Sequence, residues 1–279
     1  MRIALVTAVW QRHGITALFW QWAQQLRSWW PEHDVLFVAA GSDDPRHEAM
    51  AHLAGAVYVN APNDPLGGKF NAAVAAARSL HPDALLIMGS DDVFCRGVAD
   101  AYRPYLADRA VLVGLEDFSF YDTADGRLGY WGGYQELRRL GEPAGSGRVV
   151  GAAWLDRMGW QVWDGHEHEG MDHSAFRRLH EVGAPPYTLI TSREHGIALA
   201  LKSAVNLWSY DHILGHAAGL RTDRSPLDGL DISLRIGLAA LREREPVARQ
   251  VLVPIEVNGR ELGYRLMDAT VLADTRCDG

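Results

Sequence analysis

A short apolar run that ends in two adjacent aspartates constrains this chain most. Ala84 to Met88 are all apolar, and Asp91 and Asp92 follow after two small residues. An uninterrupted run of this length is typical of a strand buried in a parallel sheet. Ligands of open α/β sheets bind beyond the carboxyl ends of such strands, and paired carboxylates there can hold a hard divalent cation. The run therefore predicts an α/β fold with a functional site at the acidic pair.

The residues before this run alternate between strand-like and helical patterns. Apolar side chains at Ile15, Leu18, Phe19 and Trp22 follow helical spacing, and Pro31 ends that helix. Such β-α-β alternation predicts a Rossmann-like, mostly parallel sheet flanked by helices. The predicted strands cover 2–9, 34–40, 56–60 and 84–88, and the predicted helices cover 15–30, 45–53 and 69–80.

The pattern changes after Asp92. Residues 117–147 are rich in glycine, tyrosine and charge, and they indicate a long loop with one helix near 134–140. Further strands are predicted at 111–115 and 187–191, a new element at 149–157 and a helix at 172–181.

The last part of the chain predicts a helix and a hairpin. The helix covers 226–244, and the hairpin covers 251–262 around an Asn258-Gly259 turn signal. We expect one main domain over 1–220 and an extension over 221–279 that packs on it. The hairpin either supplies an edge strand for a homodimer or caps the domain locally.

Bulk composition narrows the class of protein. A formal net charge of −8 argues against broad binding to nucleic acid, which needs a basic face. Cys95 and Cys277 are the only cysteines, so no disulfide framework is predicted. No apolar stretch approaches the roughly 18 residues of a membrane span, and the N-terminus lacks the features of a signal peptide. We therefore expect a cytoplasmic protein.

Four segments, taken in order, resemble segments of one family. They are Thr7-Ala8-Val9-Trp10-Gln11-Arg12, Asn63-Asp64-Pro65-Leu66-Gly67-Gly68-Lys69-Phe70-Asn71, Gly89-Ser90-Asp91-Asp92 and Gly170-Met171-Asp172-His173-Ser174-Ala175-Phe176-Arg177-Arg178-Leu179. In this order, over roughly residues 1–200, the chain resembles the family-two-like nucleotide-sugar glycosyltransferases of the GT-A fold. Residues 221–279 carry no part of the resemblance.

The resemblance implies a donor site built from the first three segments. Nucleotide-binding residues are expected at Thr7, Ala8, Val9, Arg12, Gly68, Lys69, Asn71, Ser90 and Asp91. The Gly67-Gly68 turn fits this role physically, because glycine permits close backbone approach and a helix N-terminus favours anions.

The resemblance also implies a metal and a catalytic base. Asp91, with Asp92 and His195, is the expected ligand set for Mn²⁺ or Mg²⁺, and Asp172 is the expected general base. Two positions depart from the family pattern, because Gly89 replaces the first aspartate of Asp-x-Asp and Met171 replaces a glutamate. Glu167 and Glu169 are substitutes for the latter.

The resulting expectation is a metal-dependent, inverting glycosyltransferase that uses a UDP- or GDP-sugar. The acceptor is a saccharide, a small molecule or a modified nucleobase, bound by the aromatic-rich 117–147 region. A polar-aromatic cluster either closes over the diphosphate or packs the last helix; it comprises Lys202, Asn206, Trp208 and Tyr210. The alternatives are a nucleotidyltransferase of related fold, although no glycine precedes Gly14, and an inactive nucleotide-sugar-binding relative, for which Gly89 and Met171 are the best support.

Overall fold

The structure is a computed structural model. It describes residues 1–166, 170–203, 206, 210, 213, 221–222, 227–244, 250–257 and 260–268, with only the backbone described at 221–222, 228, 242–244, 250–257 and 260–268. Glu167, Glu169, Trp208 and the Asn258-Gly259 turn lie outside the described residues.

The elements up to the acidic pair follow the predicted alternation. They are β1 (Arg2–Ala8), α1 (His13–Trp29), β2 (Asp34–Gly41), α2 (Pro45–Leu53), β3 (Val57–Asn60), α3 (Leu66–Arg78) and β4 (Ala84–Ile87). The later elements are β5 (Asp92–Phe94), α4 (Arg96–Tyr102), β6 (Leu112–Leu115), β7 (Phe118–Asp122), β8 (Leu128–Trp131), β9 (Arg148–Gly151), α5 (Ala152–Arg157), α6 (Met171–Glu181), β10 (Thr188–Ile190), α7 (Ser192–His195), β11 (Ala198–Lys202), β12 (Arg221–Thr222), α8 (Ile232–Arg244), β13 (Gln250–Val257) and β14 (Arg260–Asp268).

Seven strands form the central sheet, in the order β10-β6-β9-β4-β1-β2-β3. β1 pairs in parallel with β2 and β4, and β2 with β3, while β9 runs antiparallel between β4 and β6. The mixed α/β fold with a mostly parallel sheet is thus confirmed. The carboxyl ends of β1, β2 and β4 meet at one edge, so the segments after Ala8 and after Ile87 lie side by side.

A second sheet corrects the prediction for residues 117–147. Its order is β12-β8-β7-β11-β5, and β7 and β8 form an antiparallel hairpin inside the stretch predicted as a loop. Instead of a helix near 134–140 there is one 3₁₀ turn at Leu137–Arg139. Phe118, Tyr121 and Trp131 are buried in the core, so these aromatic residues pack the sheet. The prediction was wrong because glycine and tyrosine there obscured the period of two that marks a strand.

The two faces of the central sheet bury different helices. Along β1, Ile3 and Leu5 join the core that contains α1, whereas Ala4 and Val6 join the core that contains α3. This alternation follows from the period of two in a strand. The packing holds α1 against one face of the sheet and α3 against the other. Because β1, β2 and β4 are parallel, the loops that follow them lie at the same edge of the sheet.

The C-terminal helix α8 packs against α1. A Cβ atom on Gly237 would come within 2.4 Å of Leu18 Cδ1, so a side chain there would displace the end of the Leu18 side chain. Gln25 Nε2 also donates to Ser233 Oγ at 2.6 Å. Among the described strands, β13 and β14 pair only with each other. The boundary at residue 220 and the homodimer stay predictions. No helix in the described part of the chain is long and apolar enough to span a membrane.

Candidate active site

The chain leaves the central sheet at Ile87 and enters the second sheet at Asp92, and Asp91 lies at this junction. Asp91 Oδ2 accepts from three groups: Arg12 Nη1 at 3.0 Å, Lys202 Nζ at 3.2 Å and Asn206 Nδ2 at 2.7 Å. Both cationic side chains are largely buried, with 14% and 13% of their surface exposed. Two cations therefore meet at the edge where ligands of such sheets bind.

The loop between β1 and α1 directs Arg12 to this point. Gln11 and Arg12 both have left-handed backbones, with φ of 48° and 39°. This conformation costs on the order of 1 kcal/mol for each non-glycine residue. It turns the Arg12 guanidinium toward the end of β4, where Nη2 donates to Ser90 Oγ at 3.3 Å. Strain of this kind is often retained where a side chain must be aimed at a ligand.

The second sheet supplies the other two groups. Leu201 N donates to Asp91 O at 2.7 Å, which places Lys202 at the end of β11 beside the carboxylate. Asn206 is held by Ser203 N, which donates to its Oδ1 at 2.8 Å. Sequence reasoning named Lys202 and Asn206 as members of a polar cluster but not as partners of Asp91. Their distance along the chain hides a contact that only strand pairing creates.

The two aspartates carry opposite pKa shifts. Burial alone would raise the pKa of Asp91, but Arg12 and Lys202 outweigh it and hold the pKa well below its usual range. Burial and the neighbouring Asp91 charge raise the pKa of Asp92. Two neighbouring carboxylates repel each other when both are charged, so protonation of one member of the pair is favoured. Asp91 is therefore the charged partner of the cations, and Asp92 is the member that holds a proton.

Replacing Asp92 by asparagine is expected to remove a pH dependence of stability. The pKa of Asp92 is raised from 3.8 to about 7, so between about pH 4 and pH 7 the folded state binds more protons than the unfolded state. The free energy of unfolding of the wild type then falls as pH rises through this window. We expect Asp92→Asn to gain stability relative to the wild type between pH 5 and pH 8 in urea unfolding. Parallel pH profiles for the two proteins would contradict the assignment.

Asp172 lies in the first turn of α6, next to Gly145 and Ser146, which lie between it and the acidic pair. Tyr134 Oη donates to Asp172 Oδ2 at 2.8 Å. A Cβ atom on Gly145 would be 2.1 Å from Asp172 Oδ1, so the carboxylate packs on bare backbone. The neighbouring Ser146 hydrogen-bonds Asp92 and accepts from Gly89 N at 2.9 Å. The structure therefore places Asp172 and the acidic pair on either side of Gly145-Ser146.

A buried arginine holds this segment and the start of α6 together. Arg148 donates to the carbonyls of Pro143, Ala144 and Asp172 at 2.7, 2.8 and 2.8 Å. Glu142 is its charged partner, at 3.4 Å. A buried charge is tolerated only when it is paired and hydrogen-bonded. Arg148 therefore positions the backbone of Asp172, and nothing in the sequence pattern pointed to this role.

Three residues expected at the diphosphate have other partners in the structure. The Asn71 side chain donates to Trp163 O at 2.9 Å and accepts from Val162 N at 3.1 Å. A Cβ atom on Gly68 would be 3.2 Å from Gly165 O. Lys69 is buried, and its Nζ donates to Val9 O at 2.7 Å. Burial lowers the pKa of Lys69 to about 8. Asn71 thus anchors the segment that leads to α6, and Gly68 lies close to the backbone of that segment.

The nucleotide-binding residues expected at the end of β1 are mostly buried. Thr7 is fully buried, and its Oγ1 has no hydrogen-bond partner among the described residues. Val9 N donates to Ala40 O at 2.8 Å. Ala8, at the end of β1, is partly exposed. Of the expected donor residues, the structure brings together Arg12, Ser90 and Asp91.

The expected metal ligands do not assemble. His195 lies before β11 and Lys202 at its end. The strand is about 13 Å long at about 3.3 Å per residue, and it separates His195 from Asp91. Within the described residues, no group of three His, Cys, Asp or Glu ligands includes Asp91 or Asp92. Asp91 Oδ2 is also already neutralised by two cations. A divalent cation at Asp91 and Asp92 therefore stays a prediction, and it would need Arg12 and Lys202 to move away from Asp91.

Comparison with known proteins gives a likeness of fold. No protein-family model and no curated protein matches the chain. Among solved structures, S. aureus TarS matches 72% of this chain and 37% of its own length, at 12% identity and a TM-score of 0.48. The structure of 4-diphosphocytidyl-2C-methyl-D-erythritol synthase matches 68% of this chain and 88% of its own length, at 12% identity and a TM-score of 0.45. The structure of glucosyl-3-phosphoglycerate synthase from Mycobacterium tuberculosis in complex with Mn²⁺, UDP and phosphoglyceric acid matches 96% of this chain and 86% of its own length. The identity is 12% and the TM-score is 0.45.

The chain thus spans about a third of TarS and most of the other two proteins. The α/β architecture with a mostly parallel central sheet, expected from the sequence, is confirmed by the strand order of the structure itself. Likenesses at this level say nothing about substrate, metal or mechanism in this chain, which depend on its own site.

Proposed function

We propose that this protein is a glycosyltransferase that moves a sugar from a nucleoside-diphosphate donor to an acceptor hydroxyl, with inversion. One observation carries the proposal: Arg12 and Lys202 converge on Asp91 at the carboxyl edge of the sheet, and Asp172 lies across Gly145-Ser146 from them. A pair of cations suits a diphosphate, and a carboxylate nearby suits proton removal from an acceptor.

Arg12 and Lys202 would neutralise the diphosphate. In the donor complex its oxygens replace Asp91 as the partner of the two cations. When the bond from the anomeric carbon to the diphosphate breaks, negative charge grows on the leaving oxygen. Preorganised cations at that oxygen stabilise the transition state more than the ground state. Asp91 holds the two cations in place and neutralises one of their two charges before the donor arrives.

Asp172 would act as the general base. Its Oδ2 is held by Tyr134, and its Oδ1 faces the bare backbone of Gly145. The acceptor hydroxyl gives its proton to Asp172 as its oxygen attacks the anomeric carbon. The bond to the donor phosphate breaks on the opposite side. A single displacement of this kind inverts the anomeric configuration.

The Mn²⁺ or Mg²⁺ expected from the sequence is the alternative means of neutralising the diphosphate. It would require Arg12 and Lys202 to release Asp91, because a dication beside two cations is repelled. Asp91 and Asp92 are the oxygen ligands that such an ion would use. A donor-binding experiment with and without metal separates the two possibilities.

The experiment measures the melting temperature with UDP-, GDP-, TDP- and CMP-sugars, in EDTA and in Mg²⁺ or Mn²⁺. A ligand present at 100 times its Kd adds about 2.7 kcal/mol of stability. We expect one nucleoside diphosphate-sugar to raise the melting temperature in EDTA, and its nucleoside monophosphate to have little effect. A rise only with metal would restore the metal-dependent mechanism. Absence of any rise near millimolar ligand would overturn the donor site.

Identification of the product then tests the reaction itself. The released nucleoside diphosphate and the glycosylated acceptor define a glycosyltransferase, whereas pyrophosphate release from a nucleoside triphosphate would define a nucleotidyltransferase. Binding without turnover for any acceptor would indicate an inactive relative.

A further inference from the structure

A second cluster of chemically active side chains lies at the ends of β1 and β2, apart from Asp91. His13 is the first residue of α1, Asp44 caps α2, and His47 lies in the first turn of α2. One ligand atom from each lies within 4.8 Å of the others. We propose that His13, Asp44 and His47 bind one divalent transition-metal ion of the zinc type. The proposal does not depend on the proposed transferase function.

The contacts within the cluster are already close to those of a ligand set. His13 Nε2 lies 2.6 Å from Asp44 Oδ2, and His47 Nε2 lies 4.0 Å from the same oxygen. The two imidazole rings stack with centroids 4.6 Å apart. Ligands bound tetrahedrally at about 2.0–2.1 Å are roughly 3.3 Å from one another. Side-chain shifts of about 1 Å would therefore bring all three onto one ion.

His47 provides an independent reason to expect a ligand. It is fully buried, and neither ring nitrogen has a hydrogen-bond partner of acceptable geometry. A neutral imidazole has one ring nitrogen with a lone pair, and that nitrogen can bind a metal ion. Buried polar atoms without hydrogen-bond partners are rare and need an explanation. A metal ion bound by His47 together with His13 and Asp44 would explain the buried ring nitrogens of His47.

The donor types select the metal. Two imidazoles and one carboxylate suit Zn²⁺ and related transition metals, whereas Mg²⁺ prefers oxygen ligands. Asp44 Oδ1 accepts from Arg46 N at 3.0 Å and from Arg46 Nε at 3.2 Å. Arg46 Nη2 also donates to Asp44 Oδ2 at 3.2 Å. The Arg46 side chain is exposed, with 71% of its surface accessible, so it can move aside when an ion binds Oδ2, while the bond from Arg46 N still orients the carboxylate. The fourth position would hold water, as in three-ligand zinc sites.

The position of the cluster gives the ion a structural consequence. It would join the start of α1 to the start of α2, and His13 directly follows the left-handed turn at Gln11 and Arg12. An ion bound here would hold the end of that turn. It would reduce the freedom of Arg12, whose guanidinium contacts Asp91.

Calorimetric titration of the full chain, stripped with a chelator, with Zn²⁺ tests the site. We expect one tight site, and the same stoichiometry with Co²⁺ together with the intense visible absorption of tetrahedral Co²⁺. Loss of outer contacts costs about 10–100-fold in metal affinity, so His47→Gln and His13→Gln should each weaken binding by at least about 100-fold. His13 is partly exposed, so His13→Gln keeps the test valid if His47→Gln fails to fold.

His52→Gln is the matched control, because His52 is an exposed histidine on the same helix. Its Zn²⁺ affinity should equal that of the wild type. No stoichiometric Zn²⁺ binding, or binding that His13→Gln leaves unchanged, would overturn the proposal. A failure here would leave donor binding in EDTA intact, so it is distinguishable from failure of the proposed function.

Discussion

Asp172→Asn is expected to lower kcat by about 10²–10⁴-fold, the usual contribution of a positioned general base. Asparagine has the shape of aspartate, so its Oδ1 can still accept from Tyr134. The bond from Arg148 goes to the backbone carbonyl of residue 172 and does not involve the side chain. The change is thus expected to remove the basicity of the carboxylate while it keeps the fold and the proposed donor site. Steady-state turnover and donor titration together measure the two effects.

Glu181→Gln is the control for this variant. Glu181 is an exposed acid at the other end of the same helix, and its replacement should leave kcat unchanged. Donor affinity should change by less than about threefold in Asp172→Asn. Turnover near that of the wild type would rule out Asp172 as the base, and equal losses of donor affinity and turnover would indicate a structural role instead.

Lys202→Met is expected to lower kcat/KM by about 10²–10³-fold, the scale found when one preorganised group at a developing charge is removed. Methionine keeps an unbranched apolar stem, which can still pack near Phe120, whose ring lies 5.5 Å from Lys202 Nζ. What is lost is one of the two cations on Asp91. Kinetics at varied donor concentration report the effect.

The conservative variant separates charge from packing. Lys202→Arg keeps the cation and should recover most of the lost activity, although an arginine fork fits a phosphate differently from an ammonium. If Lys202→Met retained full kcat/KM in EDTA, Lys202 would not act on the diphosphate. If added Mg²⁺ restored the activity of Lys202→Met, the ion and the lysine would be interchangeable at Asp91.

The two networks meet at Gly145-Ser146. Ser146 contacts the acidic pair, and Gly145 contacts Asp172. A Cβ atom on residue 145 would be 2.1 Å from Asp172 Oδ1, so a side chain there would displace the Asp172 carboxylate. Arg148 holds the residues just before this segment, because it donates to the carbonyls of Pro143 and Ala144.

Local patterns located the acidic pair and the helix that carries Asp172. Asp91 follows an apolar strand, and Asp172 opens an amphipathic helix, so both features are visible in short windows. The contacts that Gly68 and Asn71 make in the structure were not visible in this way. Their partners at 162–165 are about ninety positions away, and no local period records such a contact.

The sequence by itself determined the order of strands and helices in the first third of the chain, because periodicity and proline or glycine punctuation act over a few residues. It also determined that the acidic pair lies at a strand end. Only the tertiary structure decided that Arg12 and Lys202 share Asp91, that His195 lies at the far end of β11, and that His13 meets His47. The physical reason is that strand pairing and helix packing set these distances, and they depend on contacts between segments remote in the chain.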